Sequence, residues 1–526
     1  MKIYNLFFCI IFFTIFLISG CSFSSDDKTV LGSQYIPDSY DYTFDEENAF
    51  YVSLSSGSDD NDGTSSAPFA TVLKALNTAE GGEVIYVGDG DYGDLRFGAG
   101  EKSYKGHYPP IDEVFTEWVT LLPWGDSSPS FDAVTIGTIA ASADDNTSMS
   151  FSTKGNSDLR LRIDGFTMND GLTIMGSRYV DIRNCNINKS SYYNGWTTET
   201  ERYECVTDCP ATFVMNGRYI IMLNNDISEA GVGLWMMSHD FVFKGNDVHN
   251  LMHDGIQYHG GENLLIEGNI IHDLDDGCSS GDYDMHVDGM HISKVSGGGK
   301  YATELNDLTI RNNLIYHCEC MGIMLQWSST TSCSNFLWEN NIFGPSGGTL
   351  VHFGAGVADH FVVRHNTVVY TPNDMWTSDQ GRTFGTTEDH EFDDPTSWAY
   401  KFLVYSMTGN DHYRIYNNIL TTSRTLSNSS DSEKQYAGYL GGNIFYNLTD
   451  NSELDDEQGI ITTTLPYEEV SGDIQDVIDN GKIPGALYSG SAAVDAGTID
   501  STIDACTEDF RGNTRDSNVD IGAYEL

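Results

Sequence analysis

Asn263-Leu-Leu-Ile-Glu-Gly-Asn-Ile-Ile271 carries the pattern that decides the fold. Apolar residues alternate with variable ones, and asparagine takes the seventh place. The same nine-residue shape recurs at 179–187, 219–227, 240–248, 307–315, 335–343, 360–368 and 412–420. Its seventh place holds Asn225, Asn246, Asn269, Asn313, Asn341, Asn366 and Asn418, with Cys185 in the first copy. The shorter separations, 225 to 246 and 246 to 269, suit one coil of a parallel β-helix. The longer ones read as coils with insertions. An inward asparagine ending each strand would pair its amide with the next and satisfy buried turn groups.

A second strand pattern accompanies the first. It reads Asp170-Gly-Leu-Thr-Ile-Met175, Ala230-Gly-Val-Gly-Leu-Trp235, Asp254-Gly-Ile-Gln-Tyr-His259, Asp288-Gly-Met-His-Ile-Ser293, Met321-Gly-Ile-Met-Leu-Gln326 and Gly347-Gly-Thr-Leu-Val-His352. Alternation turns the third and fifth positions inward, Tyr258 among them. The first, fourth and sixth positions are read as outer rows. One row holds Asp254 and Asp288, the next Gly233, Gln257, His291 and Met324, and the last Trp235, His259, Ser293, Gln326 and His352. Strands of neighbouring coils lie ~4.8 Å apart. Asp254 is therefore expected beside Asp288, Gln257 beside His291, and His259 beside Ser293.

The chain has 77 acidic and 27 basic residues, a net charge of −50, which excludes the basic footprint a nucleic-acid partner needs. The 53 glycines, 12 prolines and 12% aromatics indicate an ordered, turn-rich β protein. Lys2 and the apolar run Leu6 to Ile18 form a signal peptide over residues 1–20. An acidic tether is expected over 21–46, and one β-helix domain over 47–526, with insertions near 272–287, 371–411 and 448–482. Eight cysteines follow Cys21. Export permits disulfides, and Cys205 with Cys209 is the simplest local pair. The chain is expected to be a monomer.

Residues 51–71, with Ala67-Pro-Phe-Ala-Thr71 ahead of a helical pattern at Val72, Leu73 and Leu76, resemble the N-terminal cap of right-handed parallel β-helix proteins of the pectate-lyase-like group. The segments 493–497, 509–513 and 520–525 resemble the closing segment of bacterial β-helix proteins. Ile18-Ser-Gly-Cys21 resembles a lipobox, which implies cleavage before Cys21, its lipidation and a place in the bacterial cell envelope. The expected fold is all-β: a single-stranded right-handed parallel β-helix with an Asn ladder, an N-terminal helical cap and a C-terminal closing segment. The resemblance implies an extracellular carbohydrate-active enzyme with a polysaccharide partner. A polysaccharide lyase cleaving a uronate-containing glycan by β-elimination is the leading reading. A glycoside hydrolase is the alternative, followed by a uronate epimerase or a non-catalytic glycan-binding surface β-helix.

The polar members of the rows mark the site. His291, His259 and His286 are candidate bases, because imidazole titrates near neutral pH. Asp254 and Asp288 are the candidate carboxylates, and a close pair suits a retaining hydrolase, a shared proton or a bound cation. Trp235, Trp327, Tyr283, Gln257, Gln326 and His352 would hold sugar through apolar faces and hydrogen-bonding rims. The acidic insertion offers Asp276, Asp282 and Asp284 as ligands for calcium, the expected cofactor.

Overall fold

A computed structural model describes residues 40–97, 114–137, 157–193, 209–277, 286–294, 305–327, 332–347, 351–353, 357–371, 374–378, 383–384, 402–404, 413–421, 438–446, 459–469, 474–480, 484–499 and 505–526. The expected signal peptide, Cys21, Cys205, Asp282, Tyr283 and Asp284 lie outside these residues.

One coil shows the plan. The strand Ile256–Tyr258 lies on a first face, Gly261–Glu267 on a second and Ile270–Leu274 on a third. Each pairs in parallel with the next coil, through Gln257 with His291, Leu264 with Leu308 and Ile270 with Leu314. Among the described residues the third face is a 13-stranded sheet. The first two merge, among the described residues, into a 21-stranded sheet, because strands such as Val232–Lys244 run round the corner between them. Parallel crossovers take the right hand, and the result is a right-handed parallel β-helix with a continuous apolar core.

The asparagine column is a ladder. The Nδ2 of Asn225 donates to the Oδ1 of Asn246 at 2.8 Å, and the pattern continues through Asn269, Asn313, Asn341, Asn366 and Asn418. Each Oδ1 also accepts the backbone N–H of the asparagine one coil before, as Asn313 does from Asn269 at 3.0 Å. Asn443, outside the sequence pattern, receives the last rung at 3.0 Å. The residue before each ladder member turns the corner at positive φ. Asn184, Asn224, Asn312, Asn340, His365 and Asn417 do so at 46–57°. Asn and Gly fill this sixth place because they tolerate the left-handed region best.

The two ends behave differently. The helix Val72–Thr78 buries Val72, Ala75 and Leu76 against the first coil, and the Thr71 hydroxyl caps it by accepting from Lys74 N at 3.1 Å. The C-terminal segment does not sit over the last coil alone. Ile521, Ala523 and Tyr524 pack along the outside of the third face on Leu314, Ile342, Val369 and Ile419, whose outward side chains are apolar and need cover. Within the expected insertion at 448–482, Gly459–Thr462 extends the third face by pairing with Asn443–Tyr446. Residues read as the end of the tether are docked on the second face. The Tyr42 hydroxyl donates to Asp164 at 2.6 Å, and the Arg162 guanidinium lies 3.8 Å from the Tyr42 ring centroid.

The expected pair of Cys205 with Cys209 falls in part outside the described residues. Among the described residues, Cys185, Cys318, Cys320 and Cys506 are free thiols. Cys185 stands at the head of the asparagine column and donates to the Arg183 carbonyl at 3.0 Å, so it replaces a polar rung.

Candidate functional site

The site forms where the chain passes from the third face to the first. The glycines of the Asp-Gly pairs dictate the turn. A Cβ on Gly255 would stand 2.6 Å from the Gly289 carbonyl and 2.7 Å from Ile271, and one on Gly289 would meet Gly322 and Ile315 in the same way. Alternation therefore does not carry through the corner. Asp254 and Asp288, expected on the outer surface, are both 0% exposed.

Their burial is organised by hydrogen bonds. The Oδ1 of Asp254 accepts the backbone N–H of Asp288 at 2.7 Å, and its Oδ2 accepts the Gln257 amide at 2.8 Å. His253 and His291 bring Nδ1 to 3.2 and 3.5 Å from the same Oδ2. The Oδ2 of Asp288 accepts from His286 Nδ1 at 2.9 Å. Its Oδ1 is buried with no hydrogen-bond partner among the described residues, as is His291 Nε2. The next coil offers Met321 in register with Asp288, so the carboxylate column stops there.

The electrostatics separate the two acids. Burial opposes the charge of Asp254, but His253 and His291 outweigh it and hold that carboxyl below the ordinary range. Burial, followed by the Asp254 charge, pushes Asp288 up to about 6 against the pull of His286. Among the histidines, burial and the nearby His291 lower His259 to about 4. Burial disfavours the charge of His291, yet Asp254 and Asp288 raise it on balance.

The histidines are the accessible groups. The His286 side chain is 43% exposed and that of His291 22%. His259 is partly buried. Its Nδ1 lies 3.0 Å from the Ser293 hydroxyl and its Nε2 3.4 Å from Gln257 Oε1. These contacts place His259 beside Ser293 and Gln257 in register with His291, as the alternation expects. Tyr258 points inward and is fully buried.

Two row assignments need correction. Trp235 pairs with Gln257 rather than His259, and His352 pairs with Met324 rather than Gln326. The glycine that matches Gly255 is Gly233, whose Cβ would meet Gly255 O at 2.6 Å, and not Gly231. The middle row therefore runs Thr173, Phe213, Trp235, Gln257, His291, Met324 and His352. Trp235 still reaches His259 diagonally, with ring centroids 4.8 Å apart. Gln326 and Trp327 fall in register with Ser293 and Lys294, on the same strand as Met324.

Phe213, missed in the sequence, stacks on Trp235 at 4.7 Å. Its strand has no Asp-Gly signature, but the alternation of Ala211-Thr-Phe-Val-Met215 ahead of the repeat was a usable signal. Cys320 was also missed. It lies with His286 and Asp288 in a group whose potential ligand atoms fall within 4.8 Å of one another. Asp276, expected as a calcium ligand, sits with Asp275 and Glu319 in a third such group. Oxygens of Glu319 and Asp275 already take protein donors: Asp276 N to Glu319 at 2.9 Å, Gly277 N to Asp275 at 3.0 Å, and the Ser378 hydroxyl to Asp275. The donor set is all oxygen, as calcium requires, but no further feature marks a cation there.

Comparison with known proteins follows the architecture. The family model described as right handed beta helix region matches residues 145–279 and 230–420. A model described as a protein of unknown function (DUF1565) matches residues 55–100. Among solved structures, the chain is similar to pectate lyase Pel9A at 13% identity and a TM-score of 0.40, over 92% of this chain and 97% of that one. It is similar to a rhamnogalacturonan lyase at 11% identity and a TM-score of 0.30, over 85% and 96%. PfbA, a surface adhesin of Streptococcus pneumoniae, is similar at 10% identity and a TM-score of 0.38, over 74% and 88%. No curated protein matches.

Proposed function

The chain belongs to the right-handed β-helix family, and on that fold we propose that it cleaves a uronate-containing polysaccharide by β-elimination at the histidine row of the first face. The observation that carries this reading is the burial of Asp254 and Asp288 beneath more exposed histidines. A retaining hydrolase needs one carboxyl to attack the sugar and one to protonate the leaving oxygen. Two carboxyls with no exposed surface, tied to backbone and to histidines, are unsuited to both tasks. They are suited to aiming imidazoles.

Elimination asks for different parts. The uronate carboxylate must be neutralised, a base must take the C5 proton, and the leaving oxygen must receive a proton. His286, paired with Asp288 and open to solvent, faces the substrate's carboxylate as a cation. His259 is neutral at pH 7 because burial disfavours its charge, and a base must start in that state. It takes the C5 proton, the C–H electrons form the C4=C5 double bond, and the C4–O bond breaks. In a syn elimination the same imidazole then returns the proton to the departing oxygen. Gln257 and Ser293 hold its ring. Trp235 and Phe213 supply an apolar surface along the same row.

A panel of algal and plant polysaccharides tests this. Ultraviolet absorbance from unsaturated uronate ends is the expected product signal, and His259→Gln should lower kcat by about 100-fold or more with unchanged circular dichroism. Reducing ends without that absorbance would overturn the reading in favour of hydrolysis. Inverted uronate without chain cleavage would indicate epimerisation. Glycan binding with no product would leave a binding module. We propose further, from the lipobox pattern, that lipid at Cys21 anchors the chain as a monomer in the bacterial cell envelope. Fatty-acid labelling that survives Cys21→Ala would refute the anchor.

A further inference from the structure

We propose that Asp254, Asp288 and His291 bind a divalent transition-metal cation, with zinc as the type, beneath the first face. The β-elimination reading bears only on what the cation does, not on whether it binds. One potential ligand atom from each residue lies within 4.8 Å of the other two. The Oδ1 of Asp288 and the Nε2 of His291 are buried and have no hydrogen-bond partner among the described residues. Asp288 itself has no exposed surface. A buried polar atom left unpaired costs about 1–3 kcal/mol, and more when it belongs to a charged group. A cation in the group would satisfy the buried Asp288 oxygen, with His291, whose Nδ1 lies 3.5 Å from Asp254 Oδ2, as the imidazole of the set.

The donor chemistry selects the ion. Calcium and magnesium take oxygen ligands, whereas an imidazole beside two carboxylates suits zinc or manganese. Ligand atoms around a four-coordinate zinc stand roughly 3.4 Å apart. The group therefore has to draw in by no more than about 1.4 Å. Outer contacts already orient it. Gln257 and the Asp288 backbone hold Asp254, and His286 holds the second oxygen of Asp288. Three protein ligands leave one position open, as in catalytic rather than structural zinc sites. His291 is the partly exposed ligand, so the ion enters from its side. On the β-elimination reading, the open position takes a uronate carboxylate oxygen and draws charge from C5.

Calorimetric titration of the chelator-treated full chain with zinc chloride tests the proposal. The expected result is one zinc per chain, with cobalt giving visible absorption bands that zinc displaces. Asp288→Asn and His291→Gln should each weaken zinc on the order of 100-fold, while Cys320→Ser leaves it unchanged. Circular dichroism checks each fold, and Asp254→Asn replaces either variant that fails to fold. Absence of zinc binding to the wild type overturns the proposal, as does unchanged binding in Asp288→Asn. In that case the two carboxyls share a proton. Loss of zinc in Cys320→Ser with retention in His291→Gln also overturns it, because the ligands are then His286, Asp288 and Cys320. Zinc bound without unsaturated product would sink the β-elimination reading alone.

Discussion

Asp254 shows how much one buried side chain organises. Its two oxygens accept from the Asp288 backbone and the Gln257 amide and face two histidines. Removing it leaves the Asp288 backbone donor, the Gln257 amide and two imidazoles without this acceptor at a fully buried position. Asp254→Ala should therefore cost about 3–5 kcal/mol in urea unfolding, the range for stripping one partner from a buried charged pair. Asp254→Asn keeps an acceptor for the Asp288 N–H and should cost less than half of that. Equal effects of the two substitutions would show that charge, rather than the backbone bond, is what matters. The aspartate was legible in the sequence as part of the site, but its direction was not. Alternation describes a strand, and Asp254 stands on a corner. His259 and His291 stand past the corner, on the side of the sheet that alternation gives them, whereas His286 precedes it.

Strands and columns set the limits of that reading. The asparagine column was legible because one polar residue recurs on an otherwise apolar edge. Asn443 escaped only because its strand is preceded by Tyr439-Leu-Gly-Gly, which breaks the nine-residue shape. The misplacement of Trp235 and His352 has a specific cause. A slip of one residue turns a strand inside out, but a slip of two keeps every side chain on its face. Alternation cannot detect the second error, and two glycines, 231 and 233, competed for one corner. The ladder itself predicts a graded cost. Asn313→Ala removes a side chain that bonds Asn269 N, Asn341 and the Ile266 carbonyl. It should lower unfolding free energy by about 2–3 kcal/mol. Asn443→Ala, at the end of the column, should cost less. Matching urea midpoints for the two would contradict the ladder as a cooperative element.

A second column on the third face gives a pH dependence. His272 bridges Asp247 at 3.1 Å and Asp273 at 2.9 Å, and His317 bridges Asp273 at 3.2 Å and Asp374 at 3.3 Å. Trp376 stacks on His317 at 5.1 Å, so this chain pins part of the 371–411 insertion to the coil. Burial opposes the charge of both histidines, but their carboxylate partners win and raise each to about 9. A raised imidazole contributes stability that is complete below the unfolded value near 6.5 and is lost as pH rises through 9. For one group the loss is on the order of 3 kcal/mol. Because the two share Asp273, their losses do not add. The urea midpoint should fall between about pH 7 and pH 9.5, and His317→Gln should remove part of that fall, the rest staying with His272 and with His286, whose own partners also raise it. A wild-type midpoint constant over this range would dispose of the bridge.

At the scale of the molecule, the charge and the proposed substrate conflict. A chain with a net charge of −50 repels a polyuronate at long range. The site answers locally, with His286 presented above the buried Asp288, but a polymer meets the whole surface before it meets the row. The Debye length is ~30 Å at 0.01 M salt and ~8 Å at 0.15 M. At low salt the repulsion therefore spans the width of a coil, and near physiological salt it is confined to contact distance. Raising ionic strength across that interval should lower KM for a uronate polymer several-fold and leave kcat nearly constant, because the buried contacts of the row are little screened. A short neutral oligosaccharide should show no such trend. If KM instead rises with salt, the approach to the row is attractive. The dominant field felt by the substrate would then come from the local cations of the first face, not from the acidic remainder of the helix.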